Sequence, residues 1–141
     1  MTPTFFATLE GDFASIMRSL YPGIPFYFEN VEVDSKVPTF VVFHIMASED
    51  ALPINFGRNA KSRNVGVLQI DVFTPKGTGA GRGREMAWKV AQRLTRRDIS
   101  CGEEGLVTTK DAAVQARGFQ RGRDKQMASI PYRYDFNPTI T

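Results

Sequence analysis

The chain has 141 residues, 42% of them apolar and 11% aromatic, and carries a formal net charge of +3. That is the length of one domain with enough apolar mass for a core. No apolar run approaches the roughly 18 residues of a membrane-spanning helix, and the single cysteine, Cys101, excludes an internal disulfide and a cysteine-cluster zinc site. The start shows neither a basic stretch nor a cleavage site of a secretory signal, so an intracellular, reducing setting fits.

Charge is divided along the chain. Residues 1–60 hold three basic and seven acidic side chains, a net of −4; residues 61–141 hold fifteen basic and eight acidic, a net of +7. Such a polarised chain suits nucleic-acid binding. It equally suits a head-to-tail assembly in which one copy's acidic side meets the next copy's basic side. Solvated faces with no partner are the third reading.

The first segment, TPTFFATLEGDFASIMRSLYPG, predicts a helix. Thr2 and Pro3 make an N-cap and first-turn pair. Phe5, Leu9, Phe13, Ile16, Met17 and Leu20 keep helical spacing, and Pro22-Gly23 ends the run. This stripe reads as core packing rather than a partner-binding face. Residues 26–33 have strand composition, with Pro25 at the boundary. Residues 39–47, TFVVFHIMA, read as a central strand buried on both faces or packed against another subunit. His44 lies in it; a lone histidine without a second ligand signature reads as a satisfied core residue, not a metal ligand or catalytic base.

Residues 48–63 turn polar, with Leu52, Ile54 and Phe56 spaced for a short strand in an exposed hairpin or arm. Residues 65–73 then alternate. Gly66, Leu68, Ile70 and Val72 point one way; Val67, Gln69, Asp71 and Phe73 point the other. After Pro75 the glycines at 77, 79, 81 and 83 predict a turn. A helix is expected from about Arg84, with Ala87, Val90, Ala91 and Leu94 as its apolar stripe, widened by Met86 and Trp88. Leu68, Ile70, Val72 and Trp88 are the expected core. Residues 106–109 and 113–119 suit short strands, and 118–126 a basic loop. The last strand sets Ile130, Tyr132, Tyr134 and Phe136 against Ser129, Pro131, Arg133 and Asp135, with Pro131 arguing for an edge position or a bulge. The order gives an α+β fold: a mainly antiparallel sheet with two principal helices packed on one face, in a single domain 1–141. Segments 48–63, 76–83 and 118–126 are expected to be mobile within it.

Catalytic motifs are missing from this pattern. The glycine-rich turn satisfies neither the P-loop spacing nor Gly-x-Gly-x-x-Gly in either register. One histidine and one cysteine give no nucleophile–base pair. Cys101 reads as a small loop residue, and the adjacent Glu103 and Glu104 as solvated carboxylates. Arg117, Arg121, Arg123 and Lys125, with Phe119 among them, form a candidate nucleic-acid patch without a recognised binding signature, and structural arginines or a subunit contact fit the same residues at least as well. No cofactor and no catalytic residue is expected.

The amphipathic first helix followed by IPFYFENVEV, the stretch GVLQIDVFTPKGTGAGRGREMAWKVAQRL and the closing strand IPYRYDF together resemble the tail-terminator, or tail-completion, proteins of long-tailed bacteriophages and prophages. The turn carries extra Gly and Arg residues relative to that pattern. The resemblance implies a mixed α/β fold and a ring, typically of six subunits, that caps the tail tube, stops its polymerisation and presents the surface to which the filled head joins. It implies as partners further copies of the chain, the tail tube protein and the head-completion protein, with DNA only in passage. It places the protein in the virion tail, and in host cytoplasm during assembly. The isolated chain is then either ring or monomer. Head-completion or neck proteins and a nucleic-acid-binding accessory protein are the alternatives. Combined with the charge division, the resemblance singles out subunit-interface candidates: acidic Glu49 and Asp50, and basic Arg82, Arg84, Arg121 and Arg123.

Overall fold

A computed structural model describes residues 2–29, 36–48, 51–54, 60–77, 80–120 and 123–137. Among them are two helices and eight strands: α1 (Pro3–Leu20), β1 (Phe26–Phe28), β2 (Phe40–Ala47), β3 (Leu52–Pro53), β4 (Ser62–Pro75), α2 (Ala80–Leu94), β5 (Asp98–Ser100), β6 (Gly105–Thr109), β7 (Ala113–Gln120) and β8 (Arg123–Phe136). The strands form one sheet in the order β1-β2-β4-β8-β6-β5, with β3 added to β4 and β7 added to β8. Among the described residues only the β1–β2 pairing is parallel. The fold is α+β, as the order of sequence signals predicts.

The two fourteen-residue strands, β4 and β8, are the spine and pair along their whole length, from Ser62 opposite Phe136 to Pro75 opposite Arg123. Their period-two patterns agree with each other. Leu68, Ile70 and Val72 on β4 are buried on the same face as Ala128, Ile130, Tyr132 and Tyr134 on β8. Both helices cover that face. Thr2 caps α1, its hydroxyl accepting from the Phe5 N–H at 3.3 Å and donating to the Glu104 carboxylate in the β5–β6 turn. The buried stripe of α1 runs through Phe5, Leu9, Phe13, Ile16 and Met17. Phe13 stacks on Phe43 with centroids 4.3 Å apart, and Phe5 packs on Tyr134 at 4.7 Å.

The second helix begins at Ala80, not near Arg84. Gly77, with φ +93°, makes the left-handed turn, while Gly81 and Gly83 belong to the helix. Gly83 lies against the sheet, where a Cβ would stand 3.1 Å from Cγ of the buried Gln126. From there Met86, Ala87, Val90, Ala91 and Leu94 face the core. Trp88 does not: it is 51% exposed, contrary to the expected core. At about 100° per residue it falls on the flank of the helix, beyond Ala91 and beside Arg84, where the sheet no longer lies beneath it.

Four further expectations change. The described part of 118–126 is strand rather than loop, because β7 runs to Gln120 and β8 starts at Arg123, with Gln120 paired to Arg123. β2 is not buried on both faces within one chain: Val41 and Phe43 enter the core, whereas Met46 on the opposite face is 54% exposed. Pro131 lies in the interior strand β8, between β4 and the β6/β7 pair. Its carbonyl accepts from the Lys110 N–H at 2.9 Å, so its missing donor faces the 110–112 connection where β6 hands over to β7. No ladder bond is lost there. Glu104 is buried rather than solvated, while Glu103 stays exposed.

Candidate functional site

Three of the six interface candidates lie among the described residues, and those three do not form one cluster. Glu49, Asp50 and Arg121 lie outside the described residues. Arg82 and Arg84 are both exposed on the first turns of α2, but two residues apart on a helix they point some 200° apart. The charge of Arg82 is felt by Tyr21 at the end of α1, whereas Arg84 stands beside Trp88 in a groove. Arg123 is engaged within the chain: its guanidinium donates to the Val37 carbonyl at 2.9 Å and lies 5.0 Å over the Phe40 ring. Lys125 likewise sits 3.6 Å from Asp71 and over Phe73. These two cations of the expected nucleic-acid patch hold the sheet together.

Both helices lie on one face of the sheet, and neither covers the opposite face. At its centre Asp71, buried although it points outward, collects three side chains. His44 Nε2 lies 3.1 Å away, Gln69 Nε2 donates to both carboxylate oxygens at 3.0 and 3.1 Å, and Lys125 completes the set. The other ring nitrogen of His44 lies 3.2 Å from Glu29. This cluster ties β2, β4 and β8, and Glu29 just after β1, together across diagonal positions. A carboxylate lies beside each ring nitrogen of His44. It is a satisfied histidine, as expected, but on the open face rather than in the core.

On the core side, Cys101 is buried at the β5–β6 turn. Burial pushes its thiol pKa up, with the Glu104 carboxylate adding to the rise. A thiol held protonated is a poor nucleophile, so the position reads as packing. Tyr132 is pushed up to about 12 by burial, and Tyr134 is raised by burial first and by Glu104 after it. Among the described residues no three histidine, cysteine or carboxylate side chains converge as a metal site, and no helix is long and apolar enough to cross a membrane.

The remaining feature is the flank of α2. Trp88 separates two hollows between α2 and the β7 side of the sheet. One, about 350 Å³, is bordered by Arg84 and Val114; the other, about 430 Å³, by Gln92, Thr95 and Ala112. Glu85 pairs with Lys89 at 2.8 Å and Arg96 with Asp111 at 2.6 Å on either side. Arg84 has no ion-pair partner among the described residues. Sequence reasoning missed this surface because it assigned Trp88 to the core.

No family model and no curated protein matches the chain. Solved structures do share its fold. One, which carries no description of function, superposes with a TM-score of 0.73 at 16% identity, covering 96% of both chains. Another, from the virion of a native gene transfer agent (GTA) particle, superposes with a TM-score of 0.59 at 16% identity, covering 96% of this chain and 99% of that one. At such identity the likeness is one of fold.

Proposed function

We propose that this chain is a non-enzymatic structural component of a phage-type virion, and that it caps the tail tube as a ring. In that role it ends tube polymerisation and presents the surface to which the filled head joins. The observation that carries the reading is the end-to-end likeness in fold to a chain of a gene transfer agent virion, which agrees with the tail-terminator resemblance of the sequence. Three features of the chain support it. The polar cluster on the open sheet face is internally satisfied. One face of the sheet is left uncovered by either helix. The basic residues Arg123 and Lys125 are spent on internal contacts rather than offered to a nucleic acid.

The neighbours in this reading are further copies of the chain, six to a ring as in the proteins it resembles, with the tube protein below and the head-completion protein above. DNA passes through without sequence recognition. Deleting the gene from the element that encodes it, and imaging the particles, tests the proposal. Overlong tails and unjoined heads are expected. Tails of normal length with unjoined or leaking heads assign the chain to the neck instead, and normal length with normal joining overturns the virion role.

A further inference from the structure

On the side of α2 the sheet ends at β7. Among the described residues β7 pairs with β8 alone. Along Ala113–Gln115 alternate residues therefore turn their N–H and C=O groups away from β8, and Ala113 and Gln115 are exposed. Natural sheet edges are blunted by a proline, a charge, a bulge or extreme shortness. β3 carries Pro53, and β5 has three residues with Asp98 among them. The start of β7 has none of these devices. It reads Ala-Val-Gln-Ala, and the irregularity in its pairing comes only after Ala116.

The helix above reaches past this edge. α2 packs on β4, β8 and β7, yet Trp88 on its β7 flank is half exposed. One hollow beside Trp88 is shared by Arg84 and Val114, the other by Thr95, Arg96, Asp111 and Ala112, so helix and strand run past each other in opposite directions. A strand added to β7 would lie about 4.8 Å further out, beneath Trp88, and its inward side chains would enter the two hollows. Each end of this groove has an exposed cation: Arg84 beside Val114, and Lys110 directly before Asp111. Neither has an ion-pair partner among the described residues, since Glu85 and Asp111 are taken by Lys89 and Arg96. From Arg84 to Thr95 the helix advances roughly 16 Å, the length of about five strand residues. The complementary segment is thus extended, has carboxylates at both ends and sets apolar side chains at alternate positions between them. Free backbone groups select a polypeptide over a nucleic acid. A second β7 does not fit, because its opening stretch has no carboxylate and twofold pairing would set two Arg84 flanks against each other.

We infer that the first half of β7 takes up an acid-flanked, extended segment of a different polypeptide as an added strand, which closes the sheet beneath Trp88. This contact goes beyond the ring reading and does not rest on it. Trp88 is the only tryptophan and reports on the groove. The probes are synthetic seven-residue peptides with glutamate at both ends, Val, Ile, Leu or Phe at the second, fourth and sixth positions and threonine between, titrated into the full chain. At least one should bind at or below about 1 mM, shift Trp88 emission to the blue, protect it from iodide and slow amide exchange in residues 113–115. Two versions of that peptide, N-methylated on alternate residues, separate strand addition from side-chain docking: one of the two should fail to bind, since only one set of N–H groups faces β7. Lysine in place of both glutamates should weaken binding at least about tenfold, and Arg84→Glu should narrow that difference. No binding by any member of the set overturns the inference, as does binding that neither N-methylated version loses. Protection of Trp88 and residues 113–115 that rises with protein concentration alone overturns it too, because the occupant is then a second copy.

Discussion

Gly83 lies so close over Gln126 that a Cβ on the glycine would stand 3.1 Å from the glutamine's Cγ, with the Thr74 side chain at 3.5 Å. The first turns of α2 can approach β4 and β8 because this position carries no side chain. Gly11, in the middle of α1, is the contrast: a Cβ there would meet nothing within 4 Å. Gly11→Ala should therefore stabilise the protein by roughly 0.5–1 kcal/mol through backbone entropy alone. Gly83→Ala gains the same contribution but loses about 1–3 kcal/mol to overpacking, so the two substitutions should shift the melting temperature in opposite directions. Adding Gln126→Ala should recover part of the Gly83→Ala loss. A stabilising Gly83→Ala would show that the helix is free to move off the sheet.

The environment of Trp88 makes a spectroscopic prediction. At half exposure its fluorescence should be quenched by iodide in the native protein. Trp88→Ala should cost well under the roughly 3–5 kcal/mol of truncating a fully buried tryptophan. Ile70→Ala, at a position with no exposure, should cost about 2–5 kcal/mol. Denaturant melts of the two variants give the comparison directly. Equal losses would place Trp88 in the core.

Much of this fold was legible because the long strands are strictly periodic. Leu68, Ile70 and Val72, and Ile130, Tyr132 and Tyr134, follow from period two alone. The failures arise where tertiary packing decides. Gly81 and Gly83 read as turn residues by propensity, yet they are helical, and Gly83 is there to let the helix reach the sheet. Trp88 sits at the margin of a helical stripe, and no periodicity says how far the sheet extends beneath it. Pro131 reads as an edge residue until the change of partner from β6 to β7 is known. β5 has three residues and only Ile99 buried, too little for a pattern. The Asp71 cluster is built from diagonal neighbours on separate strands, so the pairing register is needed before His44, Asp71 and Lys125 can be seen together.

Arg123 supplies a third prediction. From sequence it reads as a subunit-interface or nucleic-acid candidate or as a structural arginine, and its guanidinium holds the Val37 carbonyl and covers Phe40. Phe40 in turn stacks on Phe73 with centroids 4.7 Å apart. A hydrogen bond from a charged donor contributes about 1.5–3 kcal/mol and an exposed cation–π contact about 0.5–1 kcal/mol. Arg123→Ala should lower stability by about 1–3 kcal/mol, and Arg123→Lys should restore only part of it, because an ammonium cannot reproduce the planar contact. Arg84→Ala, at an exposed position without an internal partner among the described residues, should leave the melting temperature unchanged. If Arg123→Ala is thermally silent as well, the internal role assigned to it fails.

The tyrosines make the last prediction, and its sign follows from which state binds the proton more tightly. A phenol is neutral when protonated. Burial disfavours the phenolate, and the folded chain holds the Tyr132 proton up to about 12 against an ordinary value of 10.0. Below pH 10 both states keep the proton, and the shift leaves stability independent of pH. Above it the unfolded chain releases the proton while the folded chain retains it, so stability falls as pH rises. The fall continues until the folded value is passed near 12, and over that window Tyr132 accounts for about 2–3 kcal/mol at 1.36 kcal/mol per unit. Tyr134, raised by burial and by the neighbouring Glu104, acts in the same direction. Tyr132→Phe removes a titrating group whose hydroxyl donates to Asn64 at 3.4 Å, a long bond whose loss costs little. The variant should be close to the wild type at pH 8 and more resistant to unfolding than it at pH 11. Urea titrations of both proteins at those two pH values test this, since lysine deprotonation is common to the pair and cancels in the difference. An equal alkaline loss in the variant would mean that Tyr132 ionises without unfolding and is open to water.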